Sequence, residues 1–231
     1  PMSEYQIGLY ETARSAERKE DLKRRSKKAG VDKDGLYAEP TSSYRIFSRL
    51  YCNFVMPNPP GRPLPNDGNM GDSYRKTLAE TDKKGSNDLE ETEGNDIEGD
   101  VMISKNADST YNERIQGAIK YLKEHENEVF SREALEIYSP KFLHILENIT
   151  DKEHVGLHLL YSQFRTLEGI GLFKMVLDYN GYTQFKIKKG SDGVWHLDIA
   201  EEDRGKPTYA LYTGTESSEE KEIIRNIYNS N

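Results

Sequence analysis

Residues 155–182 read VGLHLLYSQFRTLEGIGLFKMVLDYNGY. Their order, a short apolar run, a polar turn, an amphipathic stretch and an Asn-Gly stop, predicts strand, turn, helix and a following strand. The run at 156–161 is of the unbroken apolar kind that fills a sheet covered on both faces. It ends on Ser162, Gln163, Phe164 and Arg165, at the carboxyl edge of the strand, where open α/β sheets place their ligands. Beyond it Leu167, Ile170, Phe173 and Leu177 recur at helical spacing, with Lys174 on the polar side, and Asn180-Gly181 stops the helix. A second unit follows: an apolar run at 209–212, the turn Thr213-Gly214-Thr215, then a helix opened by Ser217. Two such units in series predict the fold class α/β, part of a domain with a parallel sheet.

Composition limits what surrounds these units. Of 231 residues, 35% are hydrophobic and 31% charged, so the whole chain cannot be packed core. The net charge of −8 is unevenly spread. Residues 1–65 are basic, 66–100 strongly acidic and the remainder mildly acidic. An acidic chain does not coat nucleic acid, which needs a basic surface, although a local basic groove stays open. The single cysteine, Cys52, excludes an internal disulfide framework and fits a reducing compartment. No apolar run approaches the roughly 18 residues of a membrane helix, and no signal peptide is visible. The expected setting is intracellular, without a membrane partner. Both ends read as cut, the first residue being Pro1 and the last, Asn231, following a helix directly.

Upstream, Ser3 and Gln6 form an S-x-x-Q capping box for a helix with Tyr5, Leu9, Ala13 and Ala16 on one face, ended by Gly30. Its basic run, KRRSKK at 23–28, reads as a solvated helix face, with phosphate contact as the alternative. Residues 44–55, YRIFSRLYCNFV, predict a buried helix ended by Pro57. Residues 57–108 form a Pro-, Gly- and acid-rich insertion. Within it 66–100 cannot bury enough apolar surface to offset ordering entropy, and disorder is expected there. Order resumes with a helix capped by Ser109 and a short helix over 130–137. Ser139-Pro140 then starts another, with Phe142, Ile145, Leu146 and Ile149 facing a core. Residues 183–188 and 194–199 alternate about Gly190-Ser191-Asp192-Gly193, a hairpin signal.

Catalytic signatures are missing. No G-x-x-x-x-G-K-[ST] loop occurs. The five histidines show no metal-ligand spacing, and His158 within an apolar run reads as a core imidazole. Gly169 and Gly171 inside a helix pattern read as sites of close helix–sheet packing. Two constellations remain, Ser162-Gln163-Phe164-Arg165 and Thr213-Gly214-Thr215, each at a strand end. Hydroxyl and amide side chains beside backbone amides can hold a backbone phosphate without reading bases. Polar turns at strand ends are also ordinary, and Glu219 and Glu220 would repel phosphate at the second. Residue chemistry alone leaves both readings open.

Three segments carry a resemblance: SPKFLHILENI, then GLHLLYSQFRTLEGIGLFKMVLDYNGY, then YALYTGTESSEEKEIIRNIYN. Together they resemble the start of the second RecA-like lobe of superfamily 2 helicases of the Swi/Snf type, where a helix opening on Ser-Pro-Lys precedes motif IV, a strand ending Ser-Gln-Phe. Upstream, MSEYQIGLY looks like the Gln…Tyr segment near the end of the first lobe. Arg49…Cys52-Asn53 with Pro57 is similar to the family's Arg…Cys-Asn-His-Pro element, Phe54 standing at the histidine. The wording is closest to helicase-like proteins of large nucleocytoplasmic DNA viruses, similar to poxvirus early transcription factor and nucleoside triphosphatase I.

The resemblance implies a division into 1–56, helical and from the end of the first lobe, the insertion 57–108, and 109–231, a truncated second lobe. It also implies a nucleic-acid-dependent ATPase using ATP and Mg²⁺, neither held by this chain. The family's nucleotide loop and Asp-Glu motif would precede Pro1, and its motifs V and VI would follow Asn231. What carries over is contact with a DNA or RNA backbone by Ser162, Gln163, Phe164, Arg165, Thr213 and Gly214, and by Lys221, where many helicases place an arginine. Lysine keeps the charge and loses the planar fork. Partners in a viral transcription machinery, in the virion or host cytoplasm, follow by the same route. The competing expectation is a non-enzymatic RecA-like scaffold. A stand-alone α/β enzyme of another family would need a site that this chain does not display.

Overall fold

The computed structural model describes residues 1–28, 45–64, 70, 94–95, 103–104, 109–164, 167–212 and 216–230. Helix α1 (Glu4–Lys28) opens with Ser3 Oγ accepting from the Gln6 amide at 3.0 Å, one arm of the expected capping box. The other arm is diverted. The buried Gln6 side chain donates to the Tyr51 carbonyl at 2.7 Å and ties α1 to α2 (Ile46–Tyr51). The expected end at Gly30 lies outside the described residues.

Helix α2 is shorter than the apolar spacing over 44–55 predicts. Beyond Tyr51 the chain leaves the helix, and Phe54, Val55 and Met56 are buried in irregular backbone. Tertiary bonding overrides local propensity there: the Val55 amide donates to the Tyr138 carbonyl at 2.9 Å, and Pro57 biases Met56 away from helical dihedrals. Arg45, entering α2 at φ 55°, supplies no side-chain cap. Glu17 of α1 replaces it. Its fully buried carboxylate accepts from the amides of Phe47 (2.8 Å) and Ser48 (3.1 Å) and from Ser48 Oγ (2.7 Å), satisfying donors a helix start leaves open.

A two-stranded antiparallel pair, β1 (Gly94–Asn95) and β2 (Ile103–Ser104), precedes four helices, α3 (Ser109–Glu124), α4 (Glu126–Phe130), α5 (Arg132–Tyr138) and α6 (Pro140–Thr150). Serine starts the last two: Ser131 Oγ accepts from Ala134 N at 3.2 Å, and Ser139 Oγ from Phe142 N at 3.1 Å, with Pro140 first in the helix. Their apolar faces close one core around Phe54, Leu122, Phe130, Leu135, Leu146 and Leu172. Truncating such a leucine to alanine costs about 2–5 kcal/mol. A second cluster, of Ala13, Phe47, Leu50, Tyr51 and Val55, joins α1 to α2.

Residues 156–161, expected as a central strand buried on both faces, are instead unpaired among the described residues. Val155 is 87% and Leu159 88% exposed. Apolar sequence meets the burial condition of such a strand, but a parallel strand also needs neighbours to hydrogen-bond, and none of the described residues supplies them.

The helix beyond is present as a kinked wide turn (Leu167–Gly171) running into α7 (Leu172–Tyr179). Lys174, expected on its polar side, is buried. Its Nζ reaches Asp178 at 2.9 Å, and Asp178 also accepts from the Tyr209 hydroxyl at 2.6 Å. A long stem packed along apolar surface with its charge at the rim accounts for this.

The sheet is small. Strand β3 (Thr183–Gln184) pairs in parallel with β6 (Thr208–Tyr209), in register Thr183 to Thr208. The connection between them holds the expected hairpin, β4 (Ile187–Lys189) with β5 (Trp195–Leu197), where a doubly wound fold would hold a helix. Helix α8 (Ser218–Asn229) carries both arms of the Ser217–Glu220 capping box. None of its residues is buried, and Glu219 ties it to the hairpin by accepting from Trp195 Nε1 (2.8 Å) and Lys189 Nζ (3.0 Å). The fold is thus mixed helix and strand with a small parallel sheet.

Within the stretch read as the insertion, Pro57 is buried, residues 58–60 are exposed and Leu64 packs against the α1–α2 cluster. Most of 66–100, where disorder is expected, lies outside the described residues.

Candidate nucleic-acid interface

Ser162, Gln163 and Phe164 leave the extended run and turn onto α2. Ser162 Oγ donates to the Phe164 carbonyl (3.0 Å) and accepts from the Phe164 amide (3.2 Å), which closes the turn on itself. The Phe164 carbonyl also accepts from Ile170 N at 3.0 Å. Gly169 permits this approach. A Cβ at that position would stand 1.9 Å from the Phe164 oxygen, so no side chain fits. Phe164 packs on the α1–α2 cluster, and the Arg49 guanidinium lies over its ring, 5.0 Å from the centroid. Arg49 also donates to the Gln163 side-chain carbonyl.

Together these elements enclose a pocket of about 250 Å³. Its apolar walls are Phe142 and Ile145 of α6, Leu160, Tyr161, Ile170 and Phe173; Asn53, Lys141, Ser162 and Gln163 supply the polar groups. Three distant segments meet here: the end of α2, the start of α6 and the turn at 162–164. The first two are joined directly. Lys141 Nζ donates to Asn53 Oδ1 at 2.8 Å, and the α6 cap Ser139 donates to the Asn53 carbonyl. Among the described residues, no carboxylate lines this pocket.

The polarity of the rim follows from these bonds. Asn53 gives its side-chain oxygen to Lys141, and Gln163 gives its own to Arg49. Each amide thereby keeps its NH₂ group as a donor. With the Lys141 ammonium, the rim is a set of donors, and it suits an anionic, acceptor-rich ligand. Ser162 contributes shape, since its hydroxyl is engaged on Phe164.

Behind the pocket a charge pair fixes the kink. Glu168, 0% exposed, is bound by Arg62 through Nε at 2.6 Å and through the second guanidinium nitrogen at 3.4 Å. Arg62 also donates to the Pro63 carbonyl at 2.9 Å and lies over the Phe47 ring at 5.2 Å. Against the cost of burial, the adjoining Glu168 carboxylate holds the guanidinium well above its usual range. Burial pushes the nearby Tyr51 hydroxyl up to about 12 and the Cys52 thiol above its ordinary value.

Of the residues singled out in sequence, the structure brings Ser162, Gln163 and Phe164 together. Lys221 is not among the pocket's lining; its ammonium lies over the Tyr212 ring at 5.9 Å, on the helix bound to the hairpin. Glu219 is held by Lys189 and Trp195, and Glu220 by the capping box. Arg165, Thr213 and Gly214 lie outside the described residues. Sequence reasoning missed Lys141, Asn53 and Arg49 as site residues. The Ser-Pro-Lys start, which sets a cation at the second position of α6, was the available signal for the first. The Arg62–Glu168 pair spans 106 residues and leaves no local signal. Among the described residues no group of His, Cys, Asp and Glu is placed to hold a metal, and no helix is long and apolar enough to cross a membrane. No protein-family model, curated protein or solved structure matches the chain.

Proposed function

We propose that this chain is part of an ATP-dependent nucleic-acid helicase or translocase, contributing the backbone grip of a partial RecA-like second lobe. One observation carries the reading. Three of the segments that carry the resemblance to the Swi/Snf-type helicases, Arg49…Asn53, Ser139-Pro140-Lys141 and Ser162-Gln163-Phe164, converge on one pocket that has a rim of donors and no carboxylate among its described lining residues. Donors that read no base edge are what a phosphate backbone needs. A setting in the transcription of a large DNA virus rests on the resemblance alone.

The described residues do not fit a nucleotide site. The sequence lacks a Gly-rich phosphate loop, and the described residues hold no metal-ligating group. The chain's own part is to bind and release the strand as Lys141, Asn53 and Gln163 engage phosphate oxygens.

Fluorescence anisotropy with a labelled oligonucleotide over a salt series tests this. Lys141→Ala should lower the slope of log K against log salt by about 0.7–0.9, the value of one phosphate contact. Gln163→Ala should weaken binding several-fold at unchanged slope. Wild-type affinity in both variants would sink the assignment.

The competing reading is a RecA-like scaffold without enzymatic partners in cis. It draws on the exposed apolar run, with Val155, Leu159 and Tyr161 all more than four-fifths exposed. Failure to bind any oligonucleotide at low salt would favour it.

A further inference from the structure

We propose that the pocket takes a single unstacked nucleobase, with the adjoining phosphate on the donor rim, so that the chain captures single strands in preference to duplex. The inference rests on the nucleic-acid reading above and deepens it. A backbone grip needs only the rim. Here the rim opens on a cavity of about 250 Å³ whose walls are aromatic and aliphatic, which a phosphate would not use.

The dimensions argue for one small ring. Pockets for drug-sized ligands run about 300–1,000 Å³, so this one suits a heterocycle and not a stacked pair. Its walls suit a flat apolar body. Phe142 and Phe173 stand edge to face at 5.1 Å, Ile145 and Ile170 are half-buried, and the Tyr161 ring at the lining is exposed. Bases stack on such surfaces without regard to sequence, because every base has a π-face.

The rim meets the other half of the ligand. The Asn53 and Gln163 NH₂ groups and the Lys141 ammonium are donors, and base carbonyls, ring nitrogens and phosphate oxygens are acceptors. Arg49 occupies a face of the Phe164 ring, which leaves the cavity itself as the place for a base. A duplex keeps its bases stacked and would present only the backbone.

The decisive comparison uses the unaltered chain. Three labelled probes are titrated at one salt concentration: an oligothymidylate of about twelve nucleotides, within the range of single-strand site sizes, an oligomer of equal length made of abasic residues, and a duplex. The proposal expects the thymidylate to bind about tenfold tighter than the abasic strand, the order of one base desolvated on an apolar surface. It also expects a duplex weaker than the thymidylate. Equal binding of the thymidylate and the abasic strand, or of thymidylate and duplex, would overturn the base pocket and leave the backbone grip standing. No binding of any probe would overturn both. As a second arm, Ile145→Trp, which fills the cavity and leaves the donors in place, should erase the thymidylate advantage while keeping abasic affinity. Retention of the advantage by a folded variant would contradict the proposal.

Discussion

Two residues hold the candidate site in shape, and each makes a separate prediction. Gly169 lies where a Cβ would meet the Phe164 carbonyl at 1.9 Å, and the obstacle is backbone, which cannot rotate aside. Gly169→Ala should therefore destabilise the fold by about 1–3 kcal/mol or more, as overpacking does, read as a lower denaturant midpoint at unchanged slope. Arg62 is the cation bound to the wholly buried Glu168. Arg62→Met leaves that carboxylate uncompensated and should cost about 3–5 kcal/mol. Adding Glu168→Leu should recover most of the loss, since a buried pair replaced by apolar groups is often neutral. A double variant no more stable than the single would show that the pair, and not the stranded charge, is what matters. The sequence shows a glycine in a helix pattern and a glutamate after a leucine. Neither signals its role, because the Phe164 carbonyl and the Arg62 guanidinium arrive only with the tertiary fold.

At the scale of elements, the helix starts and the hairpin about Gly190–Gly193 were legible, and the central strand was not. Caps announce themselves locally. Ser139-Pro140 and Ser217…Glu220 start helices where the pattern places them, because the capping atoms lie within three residues of the amides they satisfy. The run at 156–161 has the composition of a central strand, but pairing depends on neighbours that composition does not encode. Helix α2 shows a cap supplied from a distance, by Glu17 across 30 residues, and this cap titrates. Burial raises the Glu17 carboxyl above its ordinary 4.5, outweighing the bonds from Ser48 and Phe47 and the Arg14 charge. A raised folded-state value means that the folded chain holds the proton more tightly than the unfolded one. The stabilisation is complete below pH 4.5 and is lost as pH rises through the folded-state value. Stability measured from pH 4.5 towards neutrality should thus decline, and Glu17→Gln, which keeps an acceptor for the α2 amides, should flatten that decline. An unchanged decline in the variant would place its origin elsewhere.

At the scale of the molecule, a chain of net charge −8 sets donors around one pocket, and no carboxylate is among its described lining residues. Half of that site could be read in sequence: Ser162, Gln163 and Phe164 stood out as a polar turn after an apolar run. Lys141 and Asn53 did not, because only folding brings the start of α6 and the end of α2 to the same opening. The sequence also offers a rival for any anion, the basic run at 23–28, so affinity alone cannot locate the contact. The most direct measurement of the central claim is a map of backbone amide shifts in the ¹⁵N-labelled chain as a short single-stranded oligonucleotide is added. Shifts concentrated at Asn53, Lys141 and residues 160–164, saturating together, are the result predicted here. Shifts confined to residues 23–28, with the pocket unmoved, would contradict it.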